Sequence, residues 1–346
     1  MQPLTFSSNK QLIPLANKPL IFYPIEAVTA LGIKEIGINY GPGQFEELKA
    51  VLGTGQRWGA NFTYILQEKP LGLADIIRVA KPFLGKGKFL MHLGDNIFYG
   101  EIKPLYDYFL KEKLDALAPV IHHPENVRLG VPYFDKRGRL TKYVEKPKNP
   151  PHDLGIPGLY FFDDHVFGCF EGKDRIKLSK RGELEIGSCY EWLVKHDYKV
   201  GTMEFSGVWQ DPGKFDDWLE TNQFLLDKGV ENTSASRLGK DVKIEGRVKI
   251  GKNCKIKDSF LRGPSIIGDG VTIEGSFIGP YSSIGDGCQI RDAKLENVIL
   301  MKEVQIINPG KSLDSCLIGE ESMIKENRKT SNGIELFVGN QCVIKL

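Results

Sequence analysis

Two different patterns of hydrophobic positions divide the sequence near residue 231. Before it, short apolar runs at 35–39, 62–66, 88–93 and 116–121 alternate with longer stretches of helical period at 19–31, 44–52 and 73–82. Such alternation is typical of α/β proteins, in which helices cover both faces of a largely parallel sheet. Residues 1–231 are therefore predicted to form an α/β domain.

After Thr233 the helical period gives way to aliphatic residues that recur every 17 positions. They form three columns, namely Ile250, Ile267, Ile284, Met301 and Ile318; Ile256, Ile273, Ile290, Ile307 and Ile324; and Ile244, Leu261, Ile278 and Leu295. Three inward positions per coil predict three-sided coils that cover one another's apolar faces. The pattern resembles the hexapeptide repeats of the left-handed parallel β-helix over about residues 240–326. We therefore predict such a domain at 232–346, with 327–346 as a cap.

Composition excludes several classes of protein. The 346 residues are 41% apolar and 26% charged with a net charge of +2, which gives no electrostatic case for binding nucleic acid or an acidic membrane. No apolar run approaches the roughly 18 residues that span a bilayer, and no leader pattern opens the sequence, so a cytoplasmic protein is expected. The six cysteines lack CxxC spacing and are interpreted as small buried hydrophobic residues, not as a zinc site or redox pair.

Five stretches of the first domain together resemble the sugar-1-phosphate nucleotidyltransferases. They are SSNKQLIPLANKPL (7–20), QEKPLGLAD (67–75), LGDN (93–96), LGVPYFD with VEKPK (129–135 and 144–148), and RGELEI with VWQDPG (181–186 and 208–213). One such stretch is weak evidence, but five in order are specific. The resemblance extends to those members that make dTDP-glucose from dTTP and glucose-1-phosphate and carry a β-helical tail. It implies a Rossmann-like nucleotidyltransferase fold for the first domain and a Mg²⁺ cofactor.

The resemblance also assigns the site residues. Lys10 matches the lysine that offsets charge on the α-phosphate, and Asp95 and Asp211 match the two carboxylates that hold Mg²⁺. The positions that match nucleotide-binding residues are Gln67, Pro70 and Gly72. Those that match sugar-phosphate-binding residues are Gly130, Glu145, Lys146 and Gly158. Taken singly, the aspartates would be interpreted as turn residues, Lys10 as a solvated lysine and Glu145-Lys146-Pro147 as a surface turn.

The sequence departs from the family pattern at three places. Gly187-Ser188 follows RGELEI where the family has Thr-Asp, so no role is assigned there, and Pro212 replaces the threonine after Asp211. The family also has a glycine-rich loop, G-G-x-G-T-R, about a dozen residues before the lysine, a position that precedes the printed Met1. Two explanations stay open, of which the first is favoured: the biological start lies upstream, or the chain is a truncation that has lost turnover.

Two alternatives to an enzyme that uses dTTP remain. One is a uridylyltransferase, because thymine and uracil present the same hydrogen-bonding edge, and the other is a non-catalytic sugar-nucleotide-binding or scaffolding homologue. All six histidines precede residue 231, so the coils lack the proton acceptor that β-helical acetyltransferases commonly use. The β-helix is accordingly interpreted as an assembly domain, and a homo-oligomer is expected.

Overall fold

The computed structural model describes residues 9–326, so the predicted cap at 327–346 and Cys342 lie outside the described residues. Contacts group the chain into one unit of residues 21–210 and a second that joins the chain up to Leu20 with the chain from Asp211 onward. The predicted boundary at 231 stays a prediction. No helix within residues 9–326 is long and apolar enough to cross a membrane.

The second unit begins with a short antiparallel hairpin. A 3-10 turn at Lys10–Leu12 leads into strands β1 (Pro14–Leu15) and β2 (Lys18–Pro19). The turn residues Ala16 and Asn17 both have positive φ, 48° and 58°, as the tight turns of two-residue hairpins require. The predicted helix start at Pro19 is therefore wrong, because Pro19 pairs with Pro14 and the first helix begins at Phe22.

The unit of residues 21–210 contains the α/β elements. Its described helices are α1 Phe22–Ala30, α2 Phe45–Leu52, α3 Leu73–Leu84, α4 Lys103–Lys111 and α5 Ile186–Lys195. Its described strands are β3 Glu35–Tyr40, β4 Asn61–Leu66, β5 Phe89–His92, β6 Ile97–Tyr99, β7 Ala116–His122, β8 Gly130–Phe134, β9 Leu140–Glu145, β10 Leu154–Gly155, β11 Leu159–Phe162, β12 Val200–Glu204 and β13 Val208–Gln210. All four predicted strands and all three predicted helices are present, with ends that differ by a few residues.

The main sheet of this unit is mixed. Its strand order is β10-β7-β11-β5, with β12 also on β7. Strands β7 and β12 are parallel, as are β3 and β4, but β11 runs antiparallel to both β5 and β7. The prediction of a largely parallel sheet is thus wrong in this respect, because hydrophobic alternation shows that strands exist without showing their direction. Cys169 and Cys189 face each other in the core with Sγ atoms 3.6 Å apart.

The other unit is dominated by a parallel β-solenoid of about five turns. Helix α6 (Phe215–Gly229) precedes it. Its described strands are β14 Thr233–Ser234, β15 Val242–Glu245, β16 Val248–Ile250, β17 Lys255–Lys257, β18 Ser259–Arg262, β19 Ser265–Ile267, β20 Thr272–Glu274, β21 Phe277–Ile278, β22 Ser282–Ile284, β23 Gln289–Arg291, β24 Lys294–Leu300, β25 Gln305–Ile307, β26 Leu313–Ile318 and β27 Met323–Lys325. Cys254 and Cys288 are buried among them, as expected, and Cys316 is partly exposed.

The predicted aliphatic columns are present, but two of them change register in the fourth coil. Ile284 pairs with Leu300, whereas the predicted column has Met301 as its next member. Ile290 pairs with Ile306, whereas the predicted column has Ile307. The reason is a turn that is one residue shorter: Leu295 is five positions before Leu300, whereas Ile278 is six positions before Ile284. In the next coil Leu300 pairs with Ile318 and Ile306 pairs with Ile324. These two pairs reverse the shift, so Ile318 and Ile324 lie in their predicted columns.

Candidate active site

Lys10 and Asp211 lie close together in the second unit, which joins the chain up to Leu20 with the chain from Asp211 onward. Asn9 caps the 3-10 turn by accepting a hydrogen bond from the Gln11 N–H at 3.2 Å, which fixes the backbone around Lys10. The Lys10 Nζ lies 3.7 Å from Asp211 Oδ1, and the two side chains are 24% and 40% exposed. Both charged groups are thus accessible to a ligand while the lysine already has a carboxylate beside it.

The loop from Asp211 into helix α6 is also fixed. The Asp217 carboxylate accepts hydrogen bonds from the N–H groups of Gly213 and Lys214, at 3.1 and 2.7 Å, and so caps the helix. Pro212, which departs from the family pattern, has no N–H to contribute to such a cap. The segment that carries Asp211 is therefore held from its helix side.

Asp95 follows strand β5, and a buried neighbour fixes its carboxylate. Asn96 is only 2% exposed, and its Nδ2 donates to Asp95 Oδ1 at 3.0 Å. Asn96 Oδ1 accepts from the Gly158 N–H at 3.2 Å and from the Trp209 indole N–H at 2.9 Å. Asn96 therefore connects the predicted metal ligand to the predicted sugar-side glycine, and it is a residue to which sequence reasoning gave no role.

The position of Gly158 depends on having no side chain. A Cβ there would lie 2.5 Å from Asn96 Oδ1 and 2.7 Å from a Leu93 methyl group. The Gly158 carbonyl also accepts from the Leu93 N–H at 2.8 Å. Backbone and side chain of the LGDN stretch thus hold this glycine from two sides.

The other residues predicted to bind the sugar phosphate lie on or directly after the β8–β9 hairpin. Gly130 is paired with Glu145 across it, and the Gly130 carbonyl accepts from the Ile156 N–H at 2.8 Å, two residues before Gly158. A Cβ on Gly130 would overlap the Tyr143 ring, so only glycine fits there. Lys146 follows with a positive φ of 47°. Backbone pairing thus links Gly130 to Glu145 and, through Ile156, to the segment that carries Gly158; Lys146 directly follows Glu145.

Glu145 has an unusual electrostatic environment. Burial raises the pKa of its carboxyl above the ordinary value, and the nearby charge of Glu185 raises that pKa further, against the opposing effect of Lys146. Glu185 belongs to the RGELEI stretch, to which no role was assigned. The pKa of this carboxyl therefore lies above that of an ordinary surface glutamate.

The same RGELEI stretch supports the predicted nucleotide-binding residues. The Leu184 N–H donates to the Leu71 carbonyl at 2.6 Å, and the Leu184 carbonyl accepts from the Ala74 N–H at 3.1 Å. Gly72 has a φ of 101°, and a Cβ there would lie 2.6 Å from the Leu184 carbonyl oxygen. Leu184 thus shapes the loop that carries Gly72, while Pro70 lies exposed in the same loop.

Gln67 follows strand β4, and its side chain is anchored to the next helix. Its Nε2 donates to Asp75 Oδ2 at 2.9 Å and to the Gly72 carbonyl at 3.2 Å. Asp75 is 2% exposed and lies in the first turn of α3. The predicted base-reading glutamine is therefore held by hydrogen bonds that the motif itself supplies.

One acidic cluster of metal-binding type lies elsewhere in this unit. It consists of Asp115, Asp163 and His165, whose ligand atoms all lie within 4.8 Å of one another. Asp163 follows Phe162, which pairs with Phe89 at the start of β5, whereas Asp95 follows the other end of that strand. Asp163 also caps a 3-10 helix, and Asp115 accepts from the Lys199 N–H at 2.6 Å. The cluster thus has structural partners and lies away from Asp95.

Comparisons with known proteins identify the family. Residues 1–228 match the nucleotidyl transferase family model and residues 221–331 match the GMPPB C-terminal domain model. A Streptomyces griseus protein named glucose-1-phosphate thymidylyltransferase is 32% identical over 98% of this chain and 94% of its own length. A protein of the same name from Streptomyces antibioticus is 33% identical over 100% of this chain and 96% of its own length.

Solved structures agree with this result. A Bacillus anthracis structure described as a glucose-1-phosphate thymidylyltransferase with bound sucrose is 30% identical, with a TM-score of 0.60, and covers 69% of this chain and 92% of that chain. A UDP-glucose pyrophosphorylase structure with UDP-glucose is 19% identical with a TM-score of 0.57, covers 66% of this chain and 94% of that chain, and shows the fold alone. The chain therefore belongs to the nucleotidyl transferase family as a sugar-phosphate nucleotidyltransferase, with a Rossmann-like domain followed by a β-solenoid.

Proposed function

We propose that the protein transfers a thymidylyl group from dTTP to glucose-1-phosphate in a Mg²⁺-dependent reaction, giving dTDP-glucose and pyrophosphate. The observation that carries the proposal is the bonding of Asn96, which joins Asp95 to Gly158 and Trp209. These hydrogen bonds support a site in which the Asp95 carboxylate, proposed to bind the metal, lies near Gly158, which is assigned to the sugar phosphate. The names of the Streptomyces relatives support the choice of dTTP and glucose-1-phosphate.

The reaction needs positioning and charge neutralisation, with no covalent enzyme intermediate. An oxygen of the sugar phosphate attacks the α-phosphorus of dTTP, a new P–O bond forms, and the bond from the α-phosphorus to the bridging oxygen breaks to release pyrophosphate. Lys10 offsets the charge that develops on the α-phosphate. Glu145 accepts hydrogen bonds from sugar hydroxyls, and Lys146 contacts the sugar phosphate. Gln67, Pro70 and Gly72 form the base pocket.

The residues assigned to the metal fit Mg²⁺. Asp95 and Asp211 offer hard carboxylate oxygens, and Mg²⁺ is commonly held by one or two carboxylates together with substrate phosphates. The ion, when bound, neutralises triphosphate charge. Asn96 orients the Asp95 carboxylate for this task by donating to its Oδ1 atom.

Pyrophosphate release from glucose-1-phosphate tests the proposal, with dTTP and UTP compared in parallel. Asp95→Asn and Asp211→Asn should each lower turnover by about a thousandfold, because each removes an anionic ligand where charge develops. Lys10→Ala should cause a similar loss without changing the Mg²⁺ dependence. Asp107→Asn is the matched control, since Asp107 forms an exposed pair with Lys103 on helix α4.

Each alternative gives a different result. Faster turnover with UTP would make the protein a uridylyltransferase, and binding of dTDP-glucose without any pyrophosphate release would make it the non-catalytic homologue. Wild-type rates in both aspartate variants would contradict the metal assignment.

We further propose that the β-solenoid serves assembly into a homo-oligomer. The coils contain no histidine, and stacked coil faces are suited to burial against identical copies. Light scattering of the full chain should give a multiple of the protomer mass. Incubation with acetyl-CoA and glucosamine-1-phosphate should release no CoA above background, and clear release would contradict an assembly-only role.

A further inference from the structure

The hydrogen bonds of Gln67 fix which end of its side-chain amide is left for a ligand. Both partners of its Nε2, the Asp75 carboxylate and the Gly72 carbonyl, are acceptors only. Reversing the amide would place the carbonyl oxygen against two acceptors, so the orientation is determined by chemistry. Within residues 9–326, no group donates a hydrogen bond to Gln67 Oε1. The side chain therefore offers a ligand an acceptor and no donor.

Asp75 is itself held in place. Arg78 lies one turn later on α3, and its Nε and Nη2 atoms lie 2.7 and 2.6 Å from Asp75 Oδ1. The second oxygen, Oδ2, accepts from Gln67. The aspartate is 2% exposed, so water does not compete for these bonds. Each carboxylate oxygen thus has a defined partner, and the carboxylate cannot rotate without breaking a charge-assisted bond.

We propose that Asp75 is a positioning residue that sets nucleobase selectivity by orienting the Gln67 amide. This inference rests on the proposed function, in which Gln67 reads the base. An acceptor at this point suits the imide N3–H of thymine and uracil. Cytosine presents a ring-nitrogen acceptor at that position, so the two acceptors would face each other and leave Gln67 Oε1 unpaired. Selectivity against cytosine therefore depends on Asp75, which contacts Gln67 and not the base itself.

The variant Asp75→Asn tests this inference. Its amide nitrogen can donate to Gln67 Oε1, which stabilises the reversed glutamine and turns Nε2 toward the base. The ratio of kcat/KM for dTTP to that for dCTP should fall by about tenfold or more, as expected when a hydrogen-bonding group changes from acceptor to donor. The ratio for dTTP to UTP should stay within about twofold, because both bases share one edge.

Controls separate selectivity from loss of structure. Glu171→Gln makes the same change from carboxylate to amide near the other end of α3, where Glu171 accepts from Lys81 of that helix at 2.7 Å. It should leave the dTTP-to-dCTP and dTTP-to-UTP ratios of kcat/KM unchanged. If Asp75→Asn unfolds at the assay temperature, Asp75→Ala provides a second test, since it removes the carboxylate that fixes the Gln67 amide and should lower the same ratio.

The outcomes distinguish the inference from the proposed function. A wild-type protein that neither turns over nor binds dTTP or UTP would contradict the proposed function. A wild-type protein that prefers dTTP over dCTP, with folded Asp75 variants that keep the full preference or lose all nucleotides equally, would overturn the role of Asp75 alone.

Discussion

Asn222 in helix α6 accepts a hydrogen bond at Oδ1 from the Ala16 N–H, 2.9 Å away and 206 positions earlier in the chain. The same oxygen accepts from Ser283 Oγ at 2.8 Å, and Asn222 Nδ2 donates to the Tyr281 carbonyl at 3.2 Å. The asparagine is fully buried. One side chain thus joins the hairpin that follows Lys10 to the β-solenoid, and the turn residue Asn17 adds a second bond to the Ile284 carbonyl.

Replacing Asn222 should therefore impair catalysis as well as folding. Asn222→Ala leaves the Ala16 N–H and the Tyr281 carbonyl without this partner, which should cost about 2 kcal/mol of stability. Because the Lys10 segment loses its anchor, kcat should fall by about tenfold or more with a smaller change in KM. Steady-state kinetics and urea unfolding measure the two effects.

Two variants check this prediction. Gln223→Ala removes another bond from α6 to the solenoid, the one to Asn297 at 2.9 Å, without touching the hairpin, and should leave kcat unchanged. Asn222→Asp keeps the acceptor for Ala16 and should retain more activity than alanine. Equal kcat values for all three variants would show that the hairpin does not depend on Asn222.

Asn96 should show separate structural and functional effects. Asn96→Ala leaves the Gly158 N–H and the Trp209 indole N–H without their acceptor, so it should destabilise the protein by at least about 2 kcal/mol. Asn96→Asp keeps that acceptor but cannot donate to Asp95. Because it also places a second buried carboxylate beside Asp95, it should lose stability as well, and it should change the Mg²⁺ concentration that gives half-maximal activity. An unchanged Mg²⁺ dependence would contradict the orienting role.

The raised pKa of Glu145 predicts an acid limb in sugar binding. As the pH falls through this raised pKa, the carboxyl is protonated and loses acceptor capacity, so KM for glucose-1-phosphate should rise at a pH where an ordinary glutamate is still ionised. Glu185→Gln removes a neighbouring negative charge, which lowers the pKa of Glu145, and should move this limb to lower pH. The KM for dTTP serves as the control. Coincident limbs in the two proteins would contradict the electrostatic coupling.

The change of register in the solenoid predicts unequal effects for adjacent isoleucines. Ile306 is fully buried in the column, whereas the Ile307 side chain is only partly buried. Ile306→Ala should lower the free energy of unfolding by about 3 kcal/mol, and Ile307→Ala by less than about 1 kcal/mol. Urea unfolding of the two variants makes the comparison. A larger loss for Ile307→Ala than for Ile306→Ala would contradict the change of register and support the uniform spacing of 17 residues that the sequence suggests.

The sequence by itself determined those features whose signal is local or repeated. Parallel coils stack equivalent corners, so Ile250, Ile267 and Ile284 reveal the solenoid by spacing alone. Strand and helix positions in the first domain follow from hydrophobic period in the same way. The five motifs were sufficient to indicate the family, because in this order they resemble those of the sugar-1-phosphate nucleotidyltransferases.

The tertiary structure decided what depends on contacts between distant segments. Strand β11 enters the sheet antiparallel, and no periodic signal in residues 159–162 records that direction. The shorter turn before Leu300 moves two columns by one residue. The sequence does not show this shift, because the neighbouring residue in each column is also apolar and would fit the hydrophobic pattern equally well. Asn96 and Asn222 carry no pattern at all. Their roles arise because a buried amide must satisfy its hydrogen bonds with whichever segments the fold brings against it.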